Sequence, residues 1–248
     1  MTHKAQPFRS LCSIIVAGIV ASLTAITTHA AEPSGDALQE RVLAVARGVT
    51  AEDYAFTRTV RSQRFEGGTT TERVEVERYD PAKPRERRWS LISIDGRAPT
   101  ADELRSHARE APKRLVAHYG RVATYFGTRA TTSLDSKGRT VFHFAMLPSE
   151  SLILSGNDVS SSATCEAAVN TSGAVPFVEE ARFTLVKPAR VKLVARIDRG
   201  DVTQRFRLLP NGKPALVEHI SDVYGSIVGH EGRVRTVLTY SEYRAVAP

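Results

Sequence analysis

Helical and strand periods alternate along the chain from residue 36 onward. Leu38, Val42, Val45 and Val49 recur at the spacing of one helix face; Asp36 is placed to cap it, Gln39 to answer that cap, and Gly48 to end it. A period of two then takes over. Tyr54, Phe56 and Val60 alternate with Thr57, Thr59 and Arg61. From Thr69 to Tyr79, Val74 and Val76 alternate with Glu72, Arg73, Glu75 and Glu77, and Gly67-Gly68 between the two runs marks a hairpin turn. Trp89 to Ile94 is a third strand, closed by Asp95-Gly96. Such alternation sets one face against a core and the other in water, as in an antiparallel sheet.

A second helix opens at Thr100, where Glu103 completes a capping box behind Pro99. Leu104, Ala108, Ala111 and Leu115 continue one face to Tyr119. Pro112 must kink this helix or split it, because its ring collides with the preceding turn. The half after Pro112 is expected either to move as a lid or to hold a fixed bend. Phe142, Phe144 and Met146 then share one face of a strand from Arg139 to Leu147. Pro148 to Val175 is polar, rich in small residues and without period, a long loop. Five more strands follow: Ala181 to Val186, Arg190 to Ile197, Val202 to Leu209, Ala215 to Tyr224 and Arg233 to Tyr243, with turns at Arg199-Gly200 and Asn211-Gly212.

A sheet of that many strands twists and curls. Two helices with one apolar stripe each must cover a face of it. The expected fold is α+β: a curled antiparallel sheet, an open half-barrel, with covering helices.

The start of the chain follows a different rule. Lys4 and Arg9 make it positive, no acidic residue precedes Glu32, Leu11 to Ile26 is apolar, and Thr28-His29-Ala30 offers small residues to a signal peptidase. A membrane-spanning helix needs about 20 solidly apolar residues. Here Thr24, Thr27, Thr28 and His29 interrupt the run, which favours cleavage after Ala30 over an anchor. Cys12 precedes the apolar core instead of ending it, the wrong place for lipoprotein processing. Residues 1–30 are thus expected to be a secretory signal, and residues 31–248 one periplasmic domain with no permanent membrane anchor.

Composition narrows the partners. The formal net charge of +7 falls by two with Lys4 and Arg9, and the remaining positive residues are scattered among Glu and Asp. Nucleic acid would demand a clustered stripe and is not expected as a partner. Cys165 alone survives removal of the signal, so no intrachain disulfide can form and the core must hold by packing.

Enzyme signatures are missing. His230-Glu231 begins like a zinc-protease motif, but Val234 stands where the second histidine belongs, and His230 reads as a solvated turn residue. No Gly-x-Ser-x-Gly elbow, Ser-x-x-Lys pair or phosphate-cradling glycine loop occurs. His143 points opposite to Phe142 and Phe144, His107, His118 and His219 are dispersed, and Cys165 lies in the polar loop. No catalytic residue, metal or cofactor is expected.

Several short motifs occur together: Arg78-Tyr79-Asp80-Pro81, Trp89-Ser90-Leu91, Asp95-Gly96, Pro99-Thr100 leading into a helix, and the ending Tyr240-Ser241-Glu242-Tyr243-Arg244. They resemble exported bacterial proteins grouped near the LolA/LolB-like superfamily of outer-membrane lipoprotein-sorting proteins. The resemblance spans most of the chain after the signal. It implies an open half-barrel closed by helices, whose characterised members carry lipoprotein acyl chains in the hollow. The missing anchor makes this chain similar to the soluble carrier.

The resulting expectation is a non-enzymatic periplasmic protein that binds a lipid, an acyl chain or a lipoprotein. Tyr54, Phe56, Trp89, Leu91, Leu115, Tyr119, Phe142 and Phe144 would line its hollow. The second expectation is a structural or regulatory envelope domain with a filled core, contacting an envelope protein through the polar loop.

Overall fold

The computed structural model describes residues 35–154, 156–191, 195–227 and 230–246; the expected signal, with Cys12, lies outside them. Helix α1 (Gly35–Arg47) buries Leu38, Val42, Leu43 and Ala46. A helix this short is marginal alone in water. Burial holds it, at about 1.5–3 kcal/mol for each large apolar side chain.

Strands β1 (Tyr54–Glu66) and β2 (Thr69–Tyr79) form the expected hairpin, with Gly67 and Gly68 at φ 55° and 79°. Positive φ at both turn positions is what matches strand twist in a two-residue loop. Strand β3 (Trp89–Ile94) lies along β2 and ends at Asp95-Gly96. Helix α2 (Ala101–Glu110) carries the expected capping box between Thr100 and Glu103.

The second helix does not reach Tyr119. One 3-10 turn, Ala111–Lys113, takes in Pro112, and the chain then runs without helix from Arg114 to His118. The proline splits the helix and does not merely bend it. A short helix that the periodicity did not announce, α3 (Val122–Phe126), follows. Gln39 answers no cap at Asp36, which sits inside the first turn of α1; its amide donates to the carbonyls of Phe126 (2.5 Å) and Thr128 (2.7 Å).

Next come β4 (Thr131–Leu134), β5 (Thr140–Phe144), a small hairpin of β6 (Ile153–Leu154) and β7 (Asn157–Asp158), β8 (Ala163–Asn170) and β9 (Phe177–Leu185). The expected loop over 148–175 therefore contains the small β6–β7 hairpin and the whole of β8. Strand β8 buries Ala163, Cys165, Ala167 and Val169 on one face, and small side chains gave that alternation too little contrast to be read. Met146, expected inward with Phe142 and Phe144, lies beyond the end of β5 and is exposed.

The last strands are β10 (Ala189–Val191), β11 (Ala195–Leu208), β12 (Pro214–Ile227) and β13 (His230–Ala245). Arg199-Gly200 is not a turn. Strand β11 passes through it, with an irregularity between Ile197 and Arg199 absorbed in its pairing with β12. His230 is an exposed strand residue at the start of β13.

The main sheet runs in the order β3-β2-β1-β13-β12-β11-β9-β8-β5-β4, with β10 beside β11. Every pairing is antiparallel. Strands β3 and β4 end the sheet without meeting, so it is a curled α+β sheet and not a closed barrel. Among the described residues no helix is long and apolar enough to cross a membrane.

The covering layer differs from expectation. Helix α1, α3 and the segment before α3 supply its buried side chains, whereas α2 buries His107 alone and leaves Leu104 exposed. On β2 the two faces are also exchanged. Tyr79 pairs with Phe56 in the core, which places Glu77 and Glu75 inward and Val76 and Val74 outward.

A candidate ligand cleft and the ionic cluster beside it

Strand pairing lines up Tyr240, Arg58, Glu77 and Leu91 across the inner faces of β13, β1, β2 and β3. The adjoining rung is aromatic: Phe56 stacks on Tyr79 at 5.1 Å, and Trp89 lies 5.0 Å from Tyr79. On the other side, His219, Leu238, Val60 and Glu75 form a rung that is only half-buried. The dense core therefore ends at the Arg58–Glu77 rung.

Glu77 is fully buried, and both its oxygens are used. Arg58 donates from Nε and Nη2 to Oε2 (3.0 and 2.5 Å). Nε2 of His107 meets Oε1 at 2.8 Å, and Nη1 of Arg114 donates to the same oxygen. One carboxylate thus ties β1, α2 and the segment after Pro112 to β2. Removing one partner of such a buried group typically costs about 3–5 kcal/mol, because the other charge is left unpaired. The Arg58 guanidinium also lies 4.1 Å above the Trp89 ring. Burial, aided by the charge of Arg58, takes the His219 imidazole down to about 4.

From Arg114 the chain crosses to His118 as a strap. Arg114 fastens one end to Glu77. At the other end Tyr119 is fully buried; its hydroxyl accepts from the Val178 N–H (2.8 Å), and its ring stands edge-on to Phe206. Gly120 lets this end close down, since a Cβ there would collide with the Val49 carbonyl oxygen. Between the anchors Leu115 is 59% exposed, while Val116 and Ala117 are half-buried.

Val116 and Ala117 border a shallow cleft open to solvent, whose other walls include Val49, Tyr54, Phe56, Leu216 and Tyr243. His118 also lines it, and its Nδ1 is buried without a hydrogen-bond partner among the described residues. Burial, then the charge of Arg121, holds this imidazole below the usual histidine range.

The eight residues expected to line one hollow fall in different places. Tyr54, Phe56 and Tyr119 line the cleft. Trp89 is buried behind Phe56, Leu91 is half-buried on the Glu77 rung, and Leu115 faces outward from the strap. Phe142 and Phe144 belong to the same continuous core but not to the cleft walls; they lie 4.9 and 5.4 Å from Phe126, with Tyr125 and Phe183 beside them.

Other candidate chemistry resolves into structure. Cys165 is not in a loop: it is buried on β8, and burial pushes its thiol well above the usual range. His143 contacts Ser133 Oγ (2.7 Å) and Glu166 (3.3 Å) at the sheet surface. Among the described residues no three His, Cys, Asp or Glu side chains converge as a metal site.

No protein-family model and no curated protein matches the chain. Solved structures do. A LolA superfamily protein from Nitrosomonas europaea is similar at 10% identity and TM-score 0.37, over 88% of this chain and 96% of its own. A DUF1329 family protein from Desulfovibrio piger follows at 11% identity and TM-score 0.33, over 85% of this chain and 92% of its own. A domain described as an outer membrane lipoprotein-sorting protein, from Vibrio parahaemolyticus, has 14% identity and TM-score 0.32, over 84% and 93%.

Little in the amino-acid sequence announced the ionic cluster. Glu77 belongs to a run of alternating Glu and Arg that reads as a solvated face, and Arg114 follows a helix breaker. The one available signal was Tyr79, an aromatic residue two positions from Glu77 and therefore on its face.

Proposed function

We propose that the chain is a non-enzymatic, exported binding protein of the periplasm that takes an apolar group into the cleft beside the strap. The group is an acyl chain, free or as part of a lipid or lipoprotein. The observation that carries this reading is the cleft itself: aromatic and aliphatic walls, and a border segment held at Arg114 and Tyr119 but exposed at Leu115 between them. Between those anchors the segment is held, among the described residues, by the partial packing of Val116 and Ala117 alone, so it can lift without unfolding the sheet. The motif resemblance to lipoprotein-sorting proteins points the same way.

The test is native mass spectrometry of the protein purified from its own host, followed by titration of delipidated protein with a fluorescent apolar probe. Co-purifying lipid and saturable probe uptake are the expected results. Lipid-free protein that takes up no probe would overturn the reading. A second reading, an envelope interaction domain with a filled interior, draws on the solid packing around Phe142 and Phe144. It expects a stable protein partner in the same purification and no lipid.

A further inference from the structure

We infer that the ligand is an anionic amphiphile, whose carboxylate or phosphate head is received by Arg114 and Arg58 while its apolar part enters the cleft. The inference rests on the apolar-ligand reading and names the chemistry of the ligand's polar end.

Charge at the cluster does not balance. Two guanidinium groups, Arg58 and Arg114, share the single carboxylate of Glu77. The neighbouring inward carboxylate, Glu75, is already engaged by Arg73 at 2.7 Å. His107 brings no negative charge, and burial disfavours its protonated form. One positive charge is left over at the margin of the core, where water screens it less than at an open surface.

Arg114 is the accessible member of the pair. Its side chain is 26% exposed against 10% for Arg58. Only Nη1 is committed to Glu77, and the remaining guanidinium N–H groups have no partner among the described residues. A planar fork with unused donors is suited to a second oxyanion.

Its position relates it to the cleft. Arg58 and Phe56 point to the same side of β1, two residues apart, which puts them about 7 Å from each other along the strand. Arg114 likewise stands two residues before Val116. Head site and apolar walls are thus adjacent along both borders. The occupied arrangement would hold two guanidinium groups against two anions, where the empty one holds two against one.

The experiment titrates the full exported protein with dodecanoate, dodecyl phosphate and dodecanol, below their aggregation concentrations, following Trp89 emission and heat. Trp89 is a suitable reporter because Arg58 lies over its ring. Dodecanoate, dodecyl phosphate or both should bind at least about tenfold more tightly than dodecanol, the scale of a charge-assisted hydrogen bond. Which anion binds better separates a fatty-acid source from a phospholipid one. Arg114→Gln should bring the ratio of anion to dodecanol affinity down toward one, and Arg114→Lys should retain part of it. Equal affinity for all three compounds in the unmodified protein would overturn the head-group inference and leave the apolar-ligand reading standing. Failure of all three to bind would overturn both.

Discussion

Tyr125 carries a polar group that its surroundings do not use. The residue is 2% exposed, edge-on to Phe144 and Phe183, and its hydroxyl has no hydrogen-bond partner among the described residues. Burial also pushes its ionisation well above the ordinary range. Leaving a buried hydroxyl unpaired costs about 1–3 kcal/mol. Tyr125→Phe keeps the ring and removes that cost, so it should raise unfolding stability by about 1 kcal/mol in a urea titration. An unchanged or lowered midpoint would show that the hydroxyl is satisfied after all. Glu77 is the opposite case, as deeply buried but with both oxygens engaged. Neither residue announced its role in the sequence. A tyrosine and a glutamate look the same whether or not the fold finds them partners, and partners here come from as far as 37 residues along the chain.

At the scale of elements, legibility followed contrast between neighbours. Helix α1, the β1–β2 hairpin and the Thr100 capping box stood out because their apolar, turn or capping residues differ sharply from those beside them. Strand β8 escaped notice because alanine and cysteine make a weak alternation, and α3 is too short to display a helical period. Helix α2 shows what a correct local signal can and cannot deliver. It formed where its cap predicted, yet only His107 packs inward. Its N-terminus is held by Thr100 and by Glu103, whose carboxyl is lowered to about 2 by the Arg97 side chain and the Thr100 backbone. Thr100→Ala should weaken the helix by about 1 kcal/mol. Hydrogen exchange should quicken at the amides of residues 101–106 while the global denaturation midpoint barely moves. Loss of global stability instead would mean that α2 is needed to fold the sheet.

For the molecule as a whole, three histidines link folding to acidity. Burial is the leading cause that holds His107, His118 and His219 below the usual histidine value, and His219 reaches about 4. Each is therefore harder to protonate in the folded chain than in the unfolded one. Stability from this source is complete above about pH 6.5. As the pH falls from there toward 4, the unfolded chain takes up protons that the folded chain refuses, and stability is lost. The His219 share is on the order of 2 kcal/mol. Urea midpoints measured from pH 7 to 4 should fall steadily, and His219→Gln should flatten that slope. A midpoint independent of pH across this window would contradict it. The open antiparallel sheet was legible at this scale because strand after strand repeated its alternation. Which rungs would be packed and which left half-covered was not, since that depends on where the strap crosses.

The burial of Cys165 has one more consequence. It lies on β8 between β5 and β9, 1% exposed, and is the one free cysteine among the described residues. A thiol reacts as its thiolate and only when a reagent can reach it. Here both conditions wait on the parting of central strands, so the sulfur stays silent while the sheet is closed. The chain thereby carries its own stopwatch. With reagent in excess, the pace at which an alkylating agent consumes this thiol becomes the pace at which the sheet opens, readable in a crude extract with no label built in.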